Sequence, residues 1–217
     1  MLLAMIACSS LNAQNDRDKE FQIRGGFGFA VYGTATEIKY DLGGAEVSWK
    51  DTSGAVTRFI PLELRYEFHP RFNAGLDMKF GSYLYDPEED NTGKSNRFAT
   101  IGIALEANLV NKPNFRWYAG IGFNTTGLEI SERRGTGSLS YTETSTWRGG
   151  GFKMNSGVLI FFGDSRFGLN TNLGYDGHNL KLQEIKRDDS NLNIDGLSGN
   201  LRLAGVDWSL GLVVRLY

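Results

Sequence analysis

Apolar and polar side chains alternate with period two along most of this chain. Over residues 21–32, Phe21, Ile23, Phe27, Phe29 and Val31 share one face, and Gln22, Arg24, Gly26, Gly28 and Ala30 the other. The pattern recurs over residues 58–68, 72–82, 97–109, 115–126, 152–162 and 167–176. The sixth segment is the least regular, because Leu159 and Phe161 interrupt its polar face. In the last, residues 204–217, Ala204, Val206, Trp208, Leu210, Leu212, Val214 and Leu216 stand against Gly205, Asp207, Ser209, Gly211 and Arg215. Successive side chains of a strand point to opposite faces, so alternation over about ten residues predicts a strand. Eight such segments with no break between them predict one all-β domain. A strand at the end of a chain leaves unpaired N–H and C=O groups unless it has neighbours on both sides. Closure into an antiparallel up-and-down barrel supplies both.

The connections alternate too. His69-Pro70-Arg71, residues 110–114 with Pro113, and residues 163–166 are short and rich in turn formers. Residues 35–55, 86–96, 129–146 and 177–200 read as long polar loops. Tight turns at one end and long loops at the other is the arrangement of outer-membrane barrels. A soluble barrel with an apolar interior alternates in the same way, so the direction of the faces needs separate evidence. The apolar set holds more large side chains than the interior of a barrel of about eight strands readily takes. Glycine sits mainly on the polar face, where a narrow interior needs small residues beside long charged ones. Aromatics gather where membrane interfaces would lie: Phe68, Phe72, Phe115, Trp117, Phe162 and Phe167 near the turns, and Tyr83, Tyr85, Trp147 and Tyr175 towards the loops. The apolar face is therefore read as facing lipid.

The final strand carries Ser209-x-Gly211-x-x-Val214-x-Leu216 with Tyr217 at the end, and resembles the C-terminal assembly signature of outer-membrane β-barrels. Its terminal aromatic lies one residue beyond the usual frame. Together with the strand count and loop asymmetry, the chain resembles the small eight-stranded OmpA/OmpX-type barrel family over almost its whole mature length. That resemblance implies the bacterial outer membrane, periplasmic chaperones and insertion by the barrel-assembly machinery. It implies no single activity, because one fold hosts many.

Residues 1–13 have the apolar core and small-residue exit of a secretory signal, without its basic beginning, leaving a barrel domain over 14–217. Alternatively Met5-Ile6-Ala7-Cys8 loosely resembles a lipobox, with a lipid on Cys8, the single cysteine. Disulfides and cysteine metal sites are excluded either way. With 23 basic and 25 acidic residues the chain lacks the positive excess of a nucleic-acid binder. No run of about 18 apolar residues exists to make a spanning helix.

With the polar face inward, Arg24, Arg65, Lys79, Arg116, Lys153 and Arg215 share the lumen with Glu63, Glu67, Asp77, Glu106, Asp176 and Asp207. This balanced set is expected to form a salt-bridged plug, since buried charges must be paired; a narrow ion path is the alternative. For catalysis at the loop rim the candidate base is His178, with Asp176 two residues before it; His69 lies in a turn. Asp86-x-Glu88-x-Asp90 and Asn191-x-Asn193-x-Asp195-Gly196 imitate a calcium loop, but Arg97 and Arg202 stand where its final Glu is required. The GFGFA and GIGF runs lack the third glycine of a dinucleotide fingerprint. No catalytic residue, metal or cofactor is assigned. The expectation is a monomeric barrel in outer-membrane lipid, with a structural, adhesive or envelope-adaptation role exerted through its loops on an unidentified extracellular ligand. The rivals are a small-solute pore, a loop-rim lipid-modifying enzyme and a secreted binder of apolar ligands.

Overall fold

The computed structural model describes residues 20–41, 43, 45–85, 96–134, 140–188 and 190–216. The signal segment, Cys8, Tyr85's side chain, the first calcium-like stretch and Tyr217 lie outside the described residues. Eight long strands carry the structure: β1 (Phe21–Asp41), β2 (Glu46–His69), β3 (Phe72–Tyr85), β4 (Arg97–Lys112), β5 (Phe115–Arg134), β6 (Tyr141–Phe161), β7 (Phe167–Arg187) and β9 (Leu197–Leu216). A two-residue strand, β8 (Ser190–Asn191), pairs with the end of β7. Every long strand is hydrogen-bonded antiparallel to its sequence neighbour, with β7 beside β9, and β9 also pairs with β1 from Phe21↔Leu216 to Tyr40↔Leu197. The sheet is therefore a closed ring, and the last strand has a partner on each side.

The predicted face assignment holds within the membrane-spanning part. Phe27, Phe29, Ile60, Ile103, Phe123 and Leu212 are exposed on the outside, while Arg24, Arg65, Glu106 and Asp207 on the alternate positions are buried within. The turn-side aromatics Phe68, Phe72, Phe115, Trp117, Phe162 and Phe167 are exposed, as is Tyr175 at the opposite end. Tyr83 and Trp147 are not: they are 1% and 4% exposed and point into the barrel. Each is in phase with the inward set of its strand, Asp77 and Lys79 on β3 and Lys153 and Asn155 on β6. Closeness to the expected loops does not override strand parity.

The long loops are the larger correction. Most of residues 35–55, 129–146 and 177–200 continue the strands. The β1–β2 ladder runs unbroken from Ala35↔Thr52 to Asp41↔Glu46, and β5–β6 from Glu129↔Thr146 to Arg134↔Tyr141. β1 has 21 residues, or about 70 Å along the strand, against the roughly 25 Å apolar band of an outer-membrane barrel. The wall therefore stands well above the membrane. At the other end the connections are short, as expected; Asn108 and Asn111 donate from their side-chain amides to the Pro70 carbonyl (3.1 and 2.6 Å), tying adjacent turns together. Pro61 lies within β2 and has no N–H to give, and the β1–β2 ladder skips Gly26 and Phe27 beside it, resuming at Gly28↔Phe59.

Candidate functional site

Along the barrel axis the interior changes character, and the order follows from the strands. Near the turns Arg116 is held by Glu20 (2.9 Å) and Glu67 (2.8 Å), and Arg215 reaches Glu20 (3.5 Å) and donates to the Pro113 carbonyl (2.7 Å). Beside them Tyr118, Leu159, Phe161 and Val213 form an apolar collar, with the Arg215 guanidinium 3.1 Å from the Phe161 ring centroid. The Leu159 and Phe161 irregularity in the alternation thus marks a real change in the lumen. Glu20 carries no signal in the alternation, because it precedes the first residue of the pattern.

One level up is the densest network. Glu106 accepts from both nitrogens of the Arg24 fork (3.1 and 2.9 Å) and from Arg65 Nε (2.8 Å). Arg65 also contacts Glu63 (3.4 Å) and Asp77, and Lys153 bridges Asp77 (3.3 Å) and Glu63 (3.6 Å). Above it Lys79 sits between Asp176 and Asp207, 3.1 Å from the latter, with its ammonium over the Phe59 ring. The structure thus brings all twelve of the sequence-derived lumen charges inside and adds Glu20. Glycine makes room for them: a Cβ on Gly174 would lie 2.6 Å from the Asp207 carboxylate, and one on Gly157 would collide with the Tyr118 phenol.

Beyond the charges the interior turns apolar. Tyr32, Phe59 and Phe98 lead to a layer of Leu128, Leu180, Leu201 and Leu203, all essentially unexposed. A water-filled bore would expose these residues, together with Arg65 and Glu106, which are both 0% exposed. His178 lies one inward position below Leu180 on β7, 4% exposed, its Nδ1 3.0 Å from Thr126 Oγ1 and its ring edge-on to Tyr32 and Phe98. The sequence reading placed it at the rim; the extension of β7 to Arg187 puts it inside the wall instead. His69 accepts from the Arg71 backbone N–H in its turn (3.1 Å).

Above the leucine layer the mouth opens into a pocket of about 120 Å³. Tyr83, Trp147 and Leu201 form its floor, Ile38, Trp49 and Ile130 its side, and Glu132, Arg134 and Glu143 its rim. Arg134 is paired with Glu132 (2.6 Å) and Glu143 (3.6 Å). Among the described residues no group of three or more His, Cys, Asp or Glu is placed to hold a metal.

The C-terminal signature residues lie in the β1–β9–β7 seam. Ser209 is buried opposite Gly28 and Asn172, and Gly211 meets Gly26 so closely that a Cβ on either would strike the other strand's backbone. Val214 pairs with Ile23 and Phe167, and Leu216 points outward.

A closed antiparallel cylinder with an apolar exterior and a paired ionic interior is an integral barrel of the bacterial outer membrane. Residues 1–202 match the outer membrane protein beta-barrel domain family, and the chain belongs to that family. Its structure is similar to that of the outer membrane protein OprG from Pseudomonas aeruginosa, with a TM-score of 0.60 at 16% identity, covering 94% of this chain and 98% of that one. More distant are Neisserial surface protein A (14% identity, TM-score 0.40, 82% and 95% covered) and Ail of Yersinia pestis (13%, 0.40, 88% and 99%). The search of curated proteins gives no match.

Proposed function

We propose that this protein is a non-conducting, non-enzymatic barrel that holds a rigid recognition mouth above the outer membrane, with a structural or adhesive role. One observation carries the reading: the lumen is filled across its width by the ion-pair network and again by the leucine layer, while the wall continues upward into an open apolar pocket. Binding sites sit where a rigid scaffold presents concave, largely apolar surface with a few polar groups. The pocket suits a small apolar or amphipathic group on an extracellular partner, with Glu132, Arg134 and Glu143 available to its polar end. Enzymatic use of His178 is disfavoured by its position beneath the sealing layer, where no lipid headgroup at the rim reaches it. Assembly through periplasmic chaperones and the barrel-assembly machinery, guided by Ser209, Gly211, Val214, Leu216 and Tyr217, belongs to the same reading.

The test is planar-bilayer recording beside fluorescence titration. Purified barrel should give no steady step conductance, and an amphipathic probe such as 1-anilinonaphthalene-8-sulfonate should quench tryptophan emission less after Trp49→Ala. Steady single-channel currents in the unaltered protein would establish the rival pore and end this proposal.

A further inference from the structure

Three cations on the outside of the wall have no acidic partner among the described residues. Arg148 on β6, Lys181 on β7 and Arg202 on β9 are exposed and point outward, while Trp147, Leu180, Leu201 and Leu203 beside them in sequence point in. Arg148 is directly opposite Lys181 in the β6–β7 ladder, and Lys181 is opposite Asn200, two residues from Arg202. Side chains directly opposed lie about 5 Å apart at Cβ and diagonal ones about 7–8 Å, so these like charges repel in the bare protein. The exposed ion pairs among the described residues engage Lys39, Lys50, Arg134 and Lys186, and none includes the three.

Their depth is set by the strands. Going down from the cations, the outward positions are Gly150 then Phe152 on β6, Asn179, Gly177 then Tyr175 on β7, and Ala204 then Val206 on β9. Phe152 and Tyr175 pack side by side, ring centroids 6.0 Å apart and planes tilted by 43°, at the upper edge of the lipid-facing band. Arg148 is four residues above Phe152, about 13 Å along a tilted strand and so about 10 Å higher. That places the cations on the water side of the aromatic edge, where headgroups lie.

We propose that Arg148, Lys181 and Arg202 form a docking site for the phosphate-bearing headgroup of an outer-leaflet lipid, whose acyl chains run down over Phe152, Tyr175 and Val206. Two guanidinium forks and an ammonium match phosphate oxygens, the forks bidentately. A bound phosphate turns the mutual repulsion of the trio into shared attraction. The apolar band directly below selects a lipid over a free anion, since it offers acyl chains a surface that a free anion cannot use. The site is on the outer surface and independent of whether the lumen conducts.

Native mass spectrometry of the folded, detergent-solubilised barrel tests this, with phosphatidic acid, phosphatidylcholine and inorganic phosphate as probes. The unaltered protein should retain phosphatidic acid over phosphatidylcholine, and the triple variant Arg148→Ala, Lys181→Ala, Arg202→Ala should lose that retention roughly 10- to 100-fold. The control Arg133→Ala, an exposed cation higher on β5, should leave it unchanged. A mobility shift between unheated and boiled samples verifies that each variant is folded, and Arg148→Lys with Arg202→Lys should restore most binding. Equal retention of both lipids, or full retention by the folded triple variant, overturns the proposal. Displacement of the lipid by equimolar inorganic phosphate would make the free anion the ligand and overturn it as well.

Discussion

The lower and upper halves of this cylinder obey opposite rules on the same strands. On β7, Asp176 points inward and Leu173 outward, and a few residues later Leu180 and Leu182 point inward while Asn179 and Lys181 point outward. β9 makes the same exchange in reverse order, from Leu201 and Leu203 inside with Arg202 outside to Asp207 inside with Leu212 outside. The backbone ladder passes through the change without interruption. What differs is the solvent. Hydrocarbon surrounds the lower half, so apolar side chains gain nothing by leaving the outer face and ionic ones must be enclosed and paired. Water surrounds the upper half, so it folds like a small soluble barrel, with its apolar groups buried. The level of the exchange marks the membrane surface within the sequence.

If the lower half rests on pairing, removing one central charge should be its costliest lesion. Glu106→Ala leaves the Arg24 and Arg65 guanidiniums without the carboxylate they share, in a site with 0% exposure. Stranding a buried charge costs about 3–5 kcal/mol. Urea unfolding in phosphatidylcholine vesicles should show a loss of this size, and a change below about 1 kcal/mol would mean that water hydrates the network. In the upper half the equivalent lesion is a cavity. Leu180→Ala in the fully buried leucine layer should cost about 3 kcal/mol in the same assay.

The exchange also explains what the sequence made legible. Strands within the membrane were readable because the outer face is uniformly large and apolar, so alternation is clean from Phe115 to Thr126 or Phe72 to Ser82. The twelve lumen charges followed from parity alone. Above the membrane the apolar residues move to the other parity, as from Phe123 to Leu128 and Ile130, and the outer face becomes a mixture of Thr, Ser, Glu and Lys. A window spanning the switch averages two antiphase patterns and resembles a polar loop, which is why the continuations of β1, β2, β5, β6, β7 and β9 read as loops in the sequence. Tyr83 and Trp147 sit near that switch, where strand parity, not proximity to the loops, decides the face. Glu20 had no pattern to betray it. The pairing of particular charges was beyond sequence reasoning, because it depends on the stagger between strands far apart in the chain.

The outer surfaces of the two halves differ in the same sense and allow a paired test. Ile103 is 63% exposed on the lower wall, so Ile103→Arg places a charge in hydrocarbon and should cost about 2–4 kcal/mol if it lies near the midplane.

The upper wall should tolerate changes that the lower wall does not. Lys50 and Glu37 face each other across the β1–β2 ladder above the membrane, 3.3 Å apart, with the lysine side chain 70% exposed. An ion pair in water gives back in side-chain entropy and desolvation most of what it gains, and salt screens the remainder. Lys50→Ala should therefore move stability by no more than about 0.5 kcal/mol, an order of magnitude less than Glu106→Ala. The two substitutions both delete one partner of an ion pair on the same barrel, so their ratio measures the contrast between solvents directly. Repeating the unfolding in high salt sharpens it: the small Lys50→Ala effect should vanish, while the Glu106→Ala effect should persist, because Arg24, Arg65 and Glu106 are buried at 0–1% exposure and buried pairs are screened far less. If added salt erased both, counterions would be reaching Arg24 and Arg65, and the lower interior would be open to water.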